Sequence, residues 1–144
     1  MPGPFTVDAS VFLNAFNPAE QGSETSRKML SRLQALAIPL IAPTLLLPET
    51  AAVISRGQNN PELARRFAVA LIRLPHLILV PLDIILAQQA LEIAARYRLL
   101  GSDAVYVAVS QRFACPLLTL DHEQHDRAAA VLKTFYPTEI LSEI

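Results

Sequence analysis

Four short apolar runs, Phe5 to Val7, Ile38 to Ala42, Leu77 to Val80 and Leu117 to Leu120, each hand over almost at once to a stretch of helical periodicity. Strands that alternate with helices in this way do not close as hairpins. They build a parallel sheet whose connections cross its faces and cover both of them. The predicted fold is therefore α/β, three layers α/β/α, around a mainly parallel central sheet of about five strands with right-handed crossovers. At 144 residues the chain buries about 70% of the surface its unfolded form exposes, so one domain over residues 1–144 is expected. Hydrophobic residues make up 52% and charged residues 17%, which supplies a core and lies far from the composition of disordered chains.

Proline, glycine and capping residues punctuate the helices. Asp8 precedes a helix carrying Val11, Phe12, Ala15 and Phe16, which Asn17-Pro18 ends. Ser23 opens an amphipathic helix with Met29, Leu30, Leu33 and Leu36 on one face. Pro43-Thr44 leads into a third helix through Glu49 and Ile54 to Gly57, with Pro48 near its first turn, and Pro61 starts a fourth that ends before Pro75. Asp83 caps a fifth helix to Tyr97, Gly101 breaks it, and Ser102 starts a sixth that is apolar nearly all round from Ala104 to Val109. Such a helix belongs in the centre of the molecule. Cys115-Pro116 closes it, Asp121 opens a seventh through Ala130 and Leu132, and Phe135 to Leu141 is expected as a fifth, peripheral strand.

Several function classes are excluded. The four glycines, at positions 3, 22, 57 and 101, are too scattered for a phosphate-cradling loop, which removes P-loop and dinucleotide-binding chemistry. Despite a mean hydropathy of +0.35, prolines and charges interrupt every apolar stretch well short of a membrane span. Met1-Pro2-Gly3-Pro4 offers neither a basic region nor a cleavage site, and the lone Cys115 forms no internal disulfide, so a cytoplasmic protein is expected. The net charge of −1 gives no bulk attraction to nucleic acid, leaving any such contact to local arginines such as Arg27, Arg32, Arg56, Arg65 and Arg66.

In a parallel sheet the residues that carry function lie where strands hand over to helices. Two of the five aspartates, Asp8 and Asp121, directly follow strands, Asp103 lies in the first turn of the buried sixth helix, and Glu49 lies early in the third. If those helix starts open onto one sheet edge, four carboxylates converge, and hard oxygen donors without Cys or His suit Mg²⁺ or Mn²⁺. Each aspartate taken singly also fits as a helix cap, as Asp83 does. An acid beside long apolar runs, as at Glu49 and Asp103, needs a partner or a metal.

The segments Val7-Asp8-Ala9-Ser10-Val11-Phe12-Leu13, Leu47-Pro48-Glu49-Thr50-Ala51, Ser102-Asp103-Ala104-Val105-Tyr106-Val107-Ala108-Val109 and Leu117-Leu118-Thr119-Leu120-Asp121 closely resemble, in order, the four acidic motifs of PIN-domain ribonucleases. The resemblance covers nearly the whole chain and is greatest to the VapC-type toxins of toxin–antitoxin systems. It implies that Asp8, Glu49, Asp103 and Asp121 bind one or two Mg²⁺ or Mn²⁺ ions for cleavage of RNA phosphodiester bonds. It also implies that Ser10 and Thr119 support the site through their hydroxyls and that a small DNA-binding antitoxin is a partner. Two positions depart from the family pattern. Pro48 directly before Glu49 is expected to shift the start of that helix, and Gln124, where the family more often has an apolar residue, predicts a less firmly docked last helix.

The run Asp121-His122-Glu123-Gln124-His125-Asp126 allows a second metal arrangement, with His122 and His125 joined by Asp121 or Asp126, although histidines at a polar helix start are more often only solvated. Asp126 is a further, more distant candidate acid. A phospho-acceptor role for Asp8 fails because Ser10 stands where a second acid is needed. The alternative to a nuclease is a catalytically inactive PIN-like module that holds RNA or protein. The high apolar content of a small chain also predicts faces buried against a partner, most simply in a homodimer.

Overall fold

The computed structural model describes residues 3–144, so the N-terminal reading at Met1 and Pro2 lies outside the described residues. Among them are five strands and eight helices: β1 (Phe5–Val7), α1 (Ala9–Phe16), α2 (Ser23–Ala35), β2 (Leu40–Pro43), α3 (Leu46–Gln58), α4 (Pro61–Ile72), β3 (Leu77–Val80), α5 (Ile84–Tyr97), α6 (Gly101–Arg112), β4 (Leu117–Leu118), α7 (His122–Ala128), β5 (Thr134–Phe135) and α8 (Pro137–Leu141). The strands form one sheet in the order β3-β2-β1-β4-β5, and every neighbouring pair is parallel. The predicted α/β class with a five-stranded parallel sheet is thus the fold observed.

Successive strand residues point to opposite faces, so burial of consecutive residues means that both faces are covered. Phe5, Thr6 and Val7 are all fully buried, as are Leu40 and Ala42 with Ile41 nearly so. Helix α6 lies over β1, β2 and β4, and its residues Ala104 to Ser110 are buried without interruption, as a helix apolar on every side requires. No helix of the described residues is long and apolar enough to cross a membrane.

The strand order reverses at β1. The chain moves outward from β1 through β2 to β3, then returns to place β4 on the other side of β1 and β5 beyond it. Such a reversal opens a crevice at the carboxyl ends of β1 and β4, because the connections leaving those two strands diverge. Asp8 and Asp121 flank it.

Several local expectations are corrected. The segment Phe135 to Leu141 is not a strand throughout: only Thr134–Phe135 pairs with β4, and Pro137 starts α8. Proline lacks the donor a longer strand would need but suits a first helical turn, and Glu139 Oε1 accepts the Tyr136 N–H at 2.9 Å to fix that start. Helix α7 stops at Ala128 rather than continuing to Leu132, because Ala128 O accepts from both Val131 and Leu132 N–H as the chain turns toward β5. The ladder of β4 is confined to Leu117–Leu118, since the Leu120 N–H is taken by Ser10 Oγ at 3.0 Å. Gly101 begins α6 instead of breaking α5, a task that falls to Arg98 in the left-handed region at φ 58°. The strand expected from Ile38 is shifted to Leu40–Pro43.

Candidate metal centre

Asp8 leaves β1 and caps α1. Its Oδ2 accepts the Ser10 N–H at 2.9 Å and its Oδ1 accepts Gln124 Nε2–H at 3.2 Å, and the residue is only 7% exposed. Asp121 caps α7 from the end of β4, accepting the Gln124 N–H at 3.0 Å, and remains exposed at the rim. The capping geometry expected of these aspartates is therefore real. Asp83 shares it, accepting the Leu86 N–H at 2.8 Å, but follows the edge strand β3, away from the crevice, and lies 3.7 Å from Arg112.

Glu49 and Asp103 enter from the first turns of α3 and α6. Pro48 does not displace Glu49: α3 starts at Leu46, so the proline falls in the first turn, where a missing N–H costs no intrahelical bond. Glu49 Oε1 accepts the Tyr106 hydroxyl at 2.7 Å, and Tyr106 is itself fully buried in α6.

The charges of these acids act on one another. Burial pushes the Asp103 carboxyl up to about 7, reinforced by the charges of Asp8, Asp121 and Glu49 and then of Glu123. Burial likewise raises Glu49, with the charge of Asp8 adding to it against the hydrogen bond from Tyr106. Asp8 is raised by burial as well, against the hydrogen bonds of Ser10 and Gln124 that favour its ionised form, while the Asp121 charge acts with burial. The Tyr106 hydroxyl is held far above its ordinary value by burial and by Asp8 and Glu49, which keeps it a donor.

Among the described residues none of the four acids has a Lys or Arg within 4.0 Å, and no three His, Cys, Asp or Glu side chains are drawn tightly enough together to enclose an ion. The carboxylates are near enough to act on one another's charge without forming a closed cage. Oxygen donors that disfavour one another's ionisation and have no basic partner suit a hard divalent cation, whose charge reverses each of those shifts. The donor set fits Mg²⁺ or Mn²⁺ in its chemistry.

Ser10 and Thr119 lie directly behind the acids. Ser10 Oγ is 3.4 Å from Thr119 Oγ1, and Thr119 Oγ1 in turn accepts the Asp121 N–H at 3.1 Å. Gln124, expected to loosen α7, does the opposite: it is fully buried, and its side chain bonds to Thr119, Asp8 and the Asp103 carbonyl. Its polarity is satisfied by partners from three other segments, so burial carries no penalty. Sequence reasoning also missed Tyr106, whose only sequence signal was a hydroxyl in an otherwise apolar helix. Asp126 does not join the acids, being exposed and 3.0 Å from His125 Nδ1. The two histidines both meet Tyr136: His122 Nδ1 is 2.8 Å from its hydroxyl, and the His125 ring stacks on the phenol at a centroid distance of 4.0 Å. Arg65 and Arg66, expected among the RNA contacts, pair with Glu62 on α4.

No curated protein sequence matches this chain significantly. Solved structures match its fold. VapC20 of Mycobacterium tuberculosis, described as a sarcin-ricin loop cleaving toxin, superposes with a TM-score of 0.71 at 22% identity over 90% of this chain and 96% of its own. FitAcB of Neisseria gonorrhoeae gives 0.72 at 15% identity over 94% and 99%. VapBC2 of Rickettsia felis, bound to a DNA fragment from its promoter, gives 0.67 at 13% identity over 92% and 97%. The sequence profile of the PIN domain matches residues 5–130, which spans β1 through α7 and all four acids, and the chain therefore belongs to the PIN-domain family.

Proposed function

We propose that this chain is a Mg²⁺- or Mn²⁺-dependent endoribonuclease and the toxin of a VapBC-type toxin–antitoxin pair. The reading rests on the mutual influence of Asp8, Glu49, Asp103 and Asp121: burial and then the charges of the other three raise Asp103, and among the described residues no Lys or Arg lies within 4.0 Å of any of the four. When bound there, a divalent cation supplies a water of lowered pKa and positive charge for the leaving oxygen of a phosphodiester. Asp8, Glu49 and Asp103 would hold it from inside the crevice. Asp121, exposed at the rim, is placed to complete the set on the side open to substrate. Glu49 is oriented by Tyr106 and Asp8 by Ser10 and Gln124, so these donors are fixed before any ligand arrives.

Two apolar surfaces support the proposed partners. Ile84, Ile85 and Leu91 on α5 are exposed to 72%, 60% and 61%, a face suited to burial against a second copy of the chain. A groove of about 430 Å³ lies between α1, α2 and α4, lined by Phe12, Phe16, Leu30, Phe67 and Leu71. It has the shape and chemistry to take an apolar segment of an antitoxin.

Incubation of the protein with mixed cellular RNA in Mn²⁺, Mg²⁺ or EDTA tests the activity. Cleavage is expected only with the metals and is expected to be lost in Asp8→Asn, Asp103→Asn and Asp121→Asn while each variant stays folded. Retained cleavage in two of the three would remove the four-acid site. RNA binding without cleavage by the wild type would instead favour the non-catalytic module.

A further inference from the structure

Gln124 is fully buried, and every polar atom of its amide has a partner. The orientation of that amide is fixed from both ends. Thr119 Oγ1 accepts the Asp121 N–H at 3.1 Å, and its single proton goes to Gln124 Oε1 at 2.6 Å. Oε1 is thereby the acceptor, and the Nε2 side must face the two acceptors opposite, Asp8 Oδ1 at 3.2 Å and the Asp103 carbonyl at 3.4 Å. The flipped amide would set its oxygen against a carboxylate and a carbonyl, and would leave the Thr119 hydroxyl facing donors.

We propose that Gln124 is a positioning residue for the cation site, acting through Asp8. Its side chain spans the backs of three acid-bearing segments, the β1 end, the start of α6 and the β4 end, and ties them at fixed separation. Its Nε2–H bonds Oδ1 at 3.2 Å and the Ser10 N–H bonds Oδ2 at 2.9 Å, so the carboxylate is held in rotation through both oxygens. An apolar side chain at position 124 would fill the volume but leave Asp8 Oδ1 without its donor and take from the Thr119 hydroxyl proton its 2.6 Å acceptor. The inference rests on the proposal that Asp8 is a cation ligand.

Calorimetric titration of the full chain with MnCl₂ tests it. Gln124→Met keeps the length of the side chain and removes both its donor and its acceptor. The expected result is a loss of Mn²⁺ affinity of about 10- to 100-fold, the usual consequence of removing a partner that orients a metal ligand, alongside a lower melting temperature in EDTA because buried Asp8 Oδ1 loses its donor. Thr119→Val, which frees the amide to turn over, should weaken binding in the same direction, and the double variant should bind no more than about twofold less tightly than Gln124→Met. Should Gln124→Met fail to fold, Gln124→Leu takes its place in the same titration. A residue acting only in packing would lower the melting temperature and leave the Mn²⁺ affinity intact. Wild-type affinity in folded Gln124→Met, or fully additive losses in the double variant, would overturn the inference while leaving the four-acid site standing. A wild type that takes up no Mn²⁺ would overturn both.

Discussion

The Tyr106 hydroxyl, carried by a fully buried residue of α6, donates to Glu49 Oε1 at 2.7 Å and so joins two of the four acid-bearing helices. That bond opposes the burial that raises the Glu49 carboxyl, because a donor to a carboxylate stabilises its charged form. Tyr106→Phe keeps the ring in the core and deletes the donor. It should lower the stability of the metal-free protein by about 1 kcal/mol, the net value of one hydrogen bond where water can reach the half-buried partner. The Mn²⁺ affinity should fall about tenfold, as expected when a ligand loses the group that orients it. Chemical denaturation and a metal titration of the same preparation check the two numbers.

Thermal melts separate a metal site from a set of helix caps. If the four acids share a crevice, their repulsion destabilises the metal-free protein, and Mg²⁺ or Mn²⁺ binding only to the folded state stabilises it by about 2.7 kcal/mol at a hundredfold excess over the dissociation constant. Asp103→Asn keeps the shape and removes the charge most affected by its neighbours. That variant should melt at or above the EDTA-treated wild type and lose most of the response to Mn²⁺. A simple first-turn cap predicts a loss of about 0.3–1 kcal/mol on neutralisation and no metal response in either protein.

The fold and the acids were legible because both are written in short stretches of sequence. Asp8 directly follows β1 and Asp121 comes three residues after β4, so the parallel topology carries both to one edge, and their capping bonds reach only two or three residues along the chain. The groups behind the acids are written in no such stretch. Gln124 is 116 residues from Asp8 and Tyr106 is 57 from Glu49, and a polar residue in a buried helix gives no sign of which distant partner satisfies it. The same reasoning explains why Gln124 suggests a loose helix from sequence and makes a tight one in the structure. The strand expected from Phe135 to Leu141 is cut short by a local cause: Pro137 suits a first helical turn, and Glu139 fixes that turn by accepting the Tyr136 N–H.

Association is tested on α5. Ile84, Ile85 and Leu91 leave an apolar face in water, which is costly to maintain in a small chain without a partner. The wild type should sediment as a dimer at micromolar concentration. Ile85→Asp should give a monomer with an unchanged melting profile below the dimer dissociation constant, since the side chain makes no part of the buried core. A monomeric wild type would assign this face to some other partner.

The pH dependence of the metal-free protein follows from Asp103. Its carboxyl stands at about 7 in the folded chain against 3.8 for the ordinary group, so the folded state holds a proton that the unfolded state has already released. Stability from this residue is therefore fully present below pH 3.8 and is lost as pH rises to about 7, above which the repulsion acts in full. Glu49 and Asp8 are shifted in the same direction and add to the trend. In EDTA the melting temperature should fall between pH 5.5 and 8, about the reverse of what acid denaturation of paired carboxylates produces. Asp103→Asn should flatten that slope, and saturating Mn²⁺ should flatten it in the wild type, because a cation offsets the repulsion that deprotonation creates. Melting temperatures rising with pH across this window in the metal-free wild type would mean that the carboxylates do not face one another.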